Sequence, residues 1–247
     1  MRHVQSSSSS RQEQTVASPH ESRVLIVTGA SSGIGAATAR AAVAAGWRVA
    51  LAARRLALLE ELVRELGSER ALAVRCDVTH FEEQQELVER TLAAFGRIDA
   101  LFANAGFGAK RGFLAETPEH WRAMVETNVL GVAFSIRAVL PHFLERGRGH
   151  FLLTSSVAGR RVLPGSLYSA TKFAVTAIGE ALRQEVADTD IKVTLIEPGM
   201  VDTPFFDERP TAALAPEDVA RCVLFALDQP PRVDLNEILL RPIRQQL

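Results

Sequence analysis

The chain has 247 residues, 47% hydrophobic and 23% charged, which is enough for one globular domain with a sizeable core. Its formal net charge of −1 gives no electrostatic case for nucleic acid or an anionic membrane surface. No apolar run reaches the ~18 residues of a membrane span, and Cys76 and Cys222 show neither metal-ligand spacing nor a disulfide framework, which fits a reducing cytoplasm.

Residues 1–22 carry a serine run, Ser6 to Ser10, and almost no large apolar side chain. They are expected to form a disordered tail ahead of a single domain over residues 23–247. From Arg23 the pattern alternates. Residues 23–28 are a short apolar, β-branched run ending in glycine, and a helical stretch follows to Ala45 and Gly46. A second apolar run, 49–52, precedes a Leu/Glu/Arg helix that ends at Leu66 and Gly67. Residues 71–74 and 101–103 read as strands, with a helix near 82–95 between them. A long helix follows Pro118. Strand 150–154, a helix near 167–186, strand 192–196, a helix from Pro216 and a strand near 237–240 complete the chain. Near-continuous apolar strands alternating with helices predict an α/β fold. It is a Rossmann-type doubly wound parallel sheet of about seven strands, helices on both faces, ordered 3-2-1-4-5-6 with a seventh at the edge.

The turn after the first strand reads Thr28-Gly29-Ala30-Ser31-Ser32-Gly33-Ile34-Gly35. Glycines let the main chain turn tightly and approach a pyrophosphate, whose charge the following helix N-terminus stabilises. At the end of the second strand, where a carboxylate would hold a ribose 2′-hydroxyl, the chain has Arg54 and Arg55. Guanidinium groups suit a 2′-phosphate, so the expected cofactor is NADP(H), with Arg54 the preferred contact; the alternative is two solvent-facing arginines opening a helix.

Tyr168 is the only tyrosine, and it precedes Lys172, one of three lysines, by four residues. On a helix this spacing shares a face, and a nearby ammonium lowers a phenol toward working pH. Such a phenol is a general acid or base. Read alone, the pair is equally an ordinary amphipathic helix.

Taken in order, the glycine turn, Asn104-Ala105-Gly106, Asn128, Ser155-Ser156, Tyr168 with Lys172, and Pro198-Gly199 resemble the short-chain dehydrogenase/reductases. The resemblance covers Arg23 to the C-terminus. It implies that Tyr168 exchanges the proton of a carbonyl or alcohol oxygen and that Lys172 lowers the tyrosine and holds the nicotinamide ribose. Ser156 would bond the substrate oxygen, and Asn128 would hold a water linking the lysine to solvent. The serine is ambiguous, because the family's usual spacing to tyrosine selects Ser155 while the following Val157-Ala158-Gly159 selects Ser156; Ser156 is preferred. Where the family usually has a first asparagine, this chain has Ala103. The resemblance also implies a cofactor site of Gly29, Ser31, Ser32, Gly33, Ile34, Gly35, Asp77, Val78, Asn104, Ala105, Gly106, Pro198, Gly199 and Thr203, with no metal. Asp77 reads equally as a strand-end turn. Homotetramers through the two long helices and the last strand are implied as well.

Only 16 residues separate Gly199 from the Pro216 helix, leaving a small lid with Phe205 and Phe206, faced by Phe107, Val162 and Leu163. The sequences around Pro216 and Asn236–Pro242 resemble a subgroup near the NADP-dependent 3-hydroxy acid, serine-type dehydrogenases. Ketones, 3-oxo acids, steroids and aldehydes remain open as substrates. The competing reading is a non-catalytic NADP-binding regulator or scaffold. A sugar-nucleotide epimerase would need a larger C-terminal portion.

Overall fold

Runs of valine, leucine, isoleucine and alanine form strands where both faces are covered, and the computed structural model follows that rule. It describes residues 22–205 and 212–245. The strands are β1 (Val24–Thr28), β2 (Arg48–Ala53), β3 (Ala71–Arg75), β4 (Ala100–Ala103), β5 (Arg148–Thr154), β6 (Asp190–Pro198) and β7 (Glu237–Leu240). They form one sheet in the order β3-β2-β1-β4-β5-β6-β7, parallel throughout. Every residue of β1 and of β4 is buried.

Alternation along each strand sends successive side chains to opposite faces. Leu25, Val27, Leu51, Phe102 and Leu152 meet α1 (Gly33–Ala44), α2 (Leu56–Leu66) and α7 (Pro216–Leu227) on one side. Ile26, Ala50, Leu101, Phe151 and Leu153 meet α3 (Phe81–Phe95), α5 (Gly131–Arg146) and α6 (Leu167–Glu185) on the other. The α/β expectation and the strand order are both met.

The long helix after Pro118 is divided. Thr117 caps α4 (Pro118–Val125), its hydroxyl accepting from the His120 N–H at 3.2 Å. A π-helical turn, Glu126–Leu130, then leads into α5. The helical run Pro118–Arg146 holds an 18-residue stretch of mean hydropathy 1.4, long and apolar enough to cross a membrane. Its inner side is nevertheless built into the core, with Val132, Val139 and Phe143 on the sheet and Asn128 and Ser135 in buried hydrogen bonds.

All strands point the same way, so their C-terminal ends share one edge. Chain direction across the sheet reverses between β1 and β4, where the glycine turn and Asn104–Gly106 lie side by side. The expected tail lies outside the described residues apart from Ser22, and so does Phe206.

Candidate active site

The glycine turn is shaped by contact as much as by dihedral preference. Gly29 has φ +68°, and a Cβ there would sit 2.9 Å from Ala105 Cα. Only glycine accepts both conditions. Thr28 ties the two loops together, its hydroxyl accepting from the N–H groups of Asn104 at 3.0 Å and Ala105 at 3.1 Å. The Asn104 side chain returns a bond to the Thr28 carbonyl at 3.1 Å. Helix α1 begins at Gly33 with Ser32 at its N-cap, without a side-chain cap and without an acidic residue in the first turn. That end of the helix is a ready anion cradle. Ile34 packs into the core beneath it.

Arg55 lies over this cradle. Its Nη2 donates to the Ser31 and Ser32 hydroxyls at 2.8 Å each, and its Nε to Ser31 at 3.2 Å. The Arg54 charge acts instead on Asp77. Burial alone would raise the Asp77 carboxyl, but hydrogen bonds from the Thr79 N–H and hydroxyl and the Arg54 charge hold it below the usual range. Arg55 is thus the arginine that bonds the serines of the turn. Asp77 forms the strand-end turn that was its alternative reading. Val78 is buried, and its side chain packs against Gly131.

The two serines after β5 diverge. Ser155 turns into the protein, its hydroxyl donating to the Lys172 carbonyl at 3.0 Å and lying 2.9 Å from Thr176 Oγ1. Ser156 faces the other way, its hydroxyl on the Tyr168 side and donating to the Pro198 carbonyl at 3.2 Å. Its Oγ also accepts from the Ala158 N–H at 3.1 Å, capping the short turn Val157–Gly159. Gly159 allows that turn to lie against α6, since a Cβ there would meet the Lys172 carbonyl oxygen at 2.8 Å.

Helix α6 starts at a Ser166 cap and carries Tyr168 and Lys172 on one face. The ammonium lies 5.6 Å from the centre of the phenol ring and donates to the Thr154 carbonyl at 2.8 Å. Burial pushes Tyr168 up to about 12, against the opposing effect of the Ser156 hydroxyl. Burial also brings Lys172 down to about 8. Desolvation disfavours each charged form.

Asn128 sits in the π turn, 1% exposed. Its amide donates to the Phe107 carbonyl at 2.9 Å and to Thr171 Oγ1 at 3.2 Å, and accepts from the Phe107 N–H at 3.0 Å. Both amide hydrogens are used, so its side chain braces the Phe107 segment. Gly106 lies between it and Lys172.

Phe205 closes the other side, edge-on to the Tyr168 ring at 5.5 Å and stacked where Gly108 leaves room. Phe107 meets His120 at 5.2 Å, Leu163 is held by the Ser169 hydroxyl, and Val162 is exposed. Thr203 packs its methyl against Gly33. The Gly199 N–H donates to the Leu240 carbonyl at 2.7 Å. Gln245 accepts from the Met200 N–H at 2.9 Å, so the C-terminal segment braces this loop. Sequence reasoning missed Thr28, Thr154, Thr176 and Gln245. A threonine at the end of a strand was the available signal for the first two.

Residues 23–213 match the short chain dehydrogenase family, and the chain belongs to it. An uncharacterized oxidoreductase of Staphylococcus saprophyticus is 40% identical over 230 residues, spanning 90% of this chain and 98% of that protein. Among solved structures, the closed form of a serine dehydrogenase complexed with NADP+ has a TM-score of 0.87 at 32% identity, covering 91% of this chain and 96% of that one. The alcohol dehydrogenase from the archaeon Thermococcus sibiricus complexed with 5-hydroxy-NADP has a TM-score of 0.85 at 32% identity, covering 92% and 99%. A short chain dehydrogenase/reductase from Burkholderia phymatum in complex with NAD has a TM-score of 0.81 at 26% identity, covering 89% of each chain. The chain is thus a member of an oxidoreductase family and shares its fold with nicotinamide dinucleotide-bound relatives.

Proposed function

We propose that this chain is an NADP(H)-dependent oxidoreductase that moves hydride between the nicotinamide and a carbonyl or secondary alcohol, with Tyr168 as general acid and base. The observation that carries this reading is the convergence of the Ser156 hydroxyl and the Lys172 ammonium on the Tyr168 phenol. They meet at the sheet edge that also holds the uncapped start of α1.

The residues present fit the dinucleotide. Gly29, Ser31, Ser32, Gly33, Ile34 and Gly35 form the pyrophosphate cradle. Arg55, with Arg54 beside it, supplies positive charge for a 2′-phosphate. Asp77, Val78, Asn104, Ala105 and Gly106 line the adenosine side, and Pro198, Gly199 and Thr203 the nicotinamide side. Tyr168 and Lys172 hold the nicotinamide ribose. The bound nicotinamide supplies the hydride, or accepts it in oxidation.

A phenol held at about 12 keeps its proton throughout the neutral range, so Tyr168 serves reduction as the acid that protonates the carbonyl oxygen. Ser156 donates to the same oxygen after releasing the Pro198 carbonyl. Lys172 stabilises the phenolate that proton transfer leaves behind. Asn128 keeps the Phe107 segment against this group. Exposed Val125 and Leu130 on the long helix and Phe173 on α6 support a homotetramer paired through those helices. Residues 23–247 form the catalytic domain, and the free thiols of Cys76 and Cys222 support a cytoplasmic setting.

The test is NADPH oxidation across a panel of ketones, 3-oxo acids and aldehydes, with Tyr168→Phe as the comparison. Turnover lost by about 100-fold or more in the variant supports the reading. Activity surviving in Tyr168→Phe rejects the tyrosine's role. NADPH binding without turnover on any substrate favours the non-catalytic regulator.

A further inference from the structure

Behind this site lies an ion pair that the chemistry above does not use. Glu197 is fully buried near the end of β6, and Arg160 Nε donates to its two oxygens at 2.8 and 3.0 Å. Arg160 also pairs with Glu237 of β7, and Thr176 of α6 lies on the Glu197 side. A buried carboxylate is tolerated only when paired, so this contact fixes the two chain segments that supply it.

Those segments are the two that hold Ser156. Arg160 directly follows the turn Val157–Gly159, which Ser156 caps. Glu197 directly precedes Pro198, whose carbonyl takes the Ser156 proton at 3.2 Å. Each end of the Ser156–Pro198 hydrogen bond therefore depends on one partner of the ion pair. A serine hydroxyl has a single proton to donate. While Pro198 holds it, a substrate oxygen cannot have it, and the position of that carbonyl sets how readily the proton is released.

We infer that Arg160 and Glu197 form a positioning pair that aims the Ser156 hydroxyl and sets how readily it turns from the Pro198 carbonyl to a substrate oxygen. This rests on the roles proposed above for Ser156 and Tyr168. Arg160 touches none of the reacting groups; it acts through Ser156.

A double-mutant cycle on the full chain tests this, with Arg160→Gln, Ser156→Ala and the pair, read as kcat, KM and NADPH affinity. Arg160→Gln is expected to lower kcat about tenfold with KM and NADPH affinity within about twofold, and to cost nothing further in the Ser156→Ala background. Arg160→Lys is expected to restore part of kcat. Additive losses, or a folded Arg160→Gln with kcat within twofold of wild type, overturn the inference, because a mere brace would act whether or not Ser156 has a hydroxyl. If Arg160→Gln does not fold, Glu197→Gln, equal in volume, runs the same cycle: a loss that vanishes in the Ser156→Ala background supports the pair, and an additive loss overturns it. A Ser156→Ala enzyme with full turnover would instead overturn the assignment of Ser156 itself, so the two failures are distinct.

Discussion

The Ser155 hydroxyl donates to the Lys172 carbonyl at 3.0 Å, while the next hydroxyl along the chain points at the Tyr168 phenol. Extended backbone sends neighbours to opposite sides, so one serine holds α6 in place and the other faces the reacting groups. Ser155→Ala leaves the Lys172 carbonyl and Thr176 hydroxyl short of a partner and is expected to cost about 1–3 kcal/mol of stability, with kcat changed little. Ser156→Ala loses the cap on Ala158 and the bond to Pro198, so it is expected to cost about 1 kcal/mol or more of stability and, unlike Ser155→Ala, about 100-fold in kcat. Urea denaturation and steady-state kinetics on both variants check that the kcat loss belongs to Ser156 alone.

Gly159 marks where that arrangement is tightest. A methyl group there would lie 2.8 Å from the Lys172 carbonyl oxygen and press on the Ser155 hydroxyl as well. Gly159→Ala is expected to destabilise by about 1–3 kcal/mol, as overpacking does. It should also lower kcat, because the displaced turn carries Ser156. A variant with wild-type melting temperature and turnover would show that the turn moves freely.

Stability should depend on pH through Lys172 and Tyr168, with opposite signs. Lys172 drops from 10.5 to about 8 on folding. Below about 8 both states hold the proton, and the cost of the buried ammonium is constant. Between 8 and 10.5 the unfolded chain binds a proton that the folded chain has released, so stability rises with pH. Tyr168 rises from 10.0 to about 12. Above 10 the folded chain keeps a proton the unfolded chain loses, so its contribution falls and the rise flattens. At about 1.4 kcal/mol per pH unit, the part from Lys172 is at most about 3 kcal/mol. Above 9 the Cys76 thiol, which burial pushes up from 9.0 to about 12, opposes the rise, so denaturation of Lys172→Met between about pH 8 and pH 9 is expected to lack the rise seen in wild type.

The fold was legible because a parallel sheet covered on both faces makes its strands apolar at nearly every position, as in Val24–Thr28. The ends were less so. Strand β6 extends to Asp190 and Pro198, beyond the apolar run 192–196, because Glu197 can be buried once Arg160 reaches it from 37 residues away. Periodicity sees a long helix after Pro118, but the π turn around Asn128 follows from an amide that grips Phe107, a tertiary contact. The Tyr168–Lys172 spacing was visible, but its electrostatics were not, since adjacent charges can be read from a sequence and burial cannot.

Cofactor choice turns on two arginines that spacing alone does not separate. Arg55 stands at the start of α2 and reaches back to Ser31 and Ser32, so its charge sits over the end of α1 where phosphate oxygens would lie. Arg54 spends part of its field on Asp77. A guanidinium bonded to a phosphate contributes about 1.5–3 kcal/mol, which corresponds to roughly 10- to 150-fold in affinity. Arg55→Ala is therefore expected to weaken NADPH by about tenfold or more while NADH, lacking the 2′-phosphate, changes by about twofold or less. Arg54→Ala is expected to do less to NADPH than Arg55→Ala. Fluorescence titration of both variants with both nucleotides decides the matter. Equal losses for NADPH and NADH in Arg55→Ala would move that residue's role to the shape of the glycine turn. A larger NADPH loss in Arg54→Ala would mean that Arg54 swings over when the phosphate arrives, giving up its interaction with Asp77.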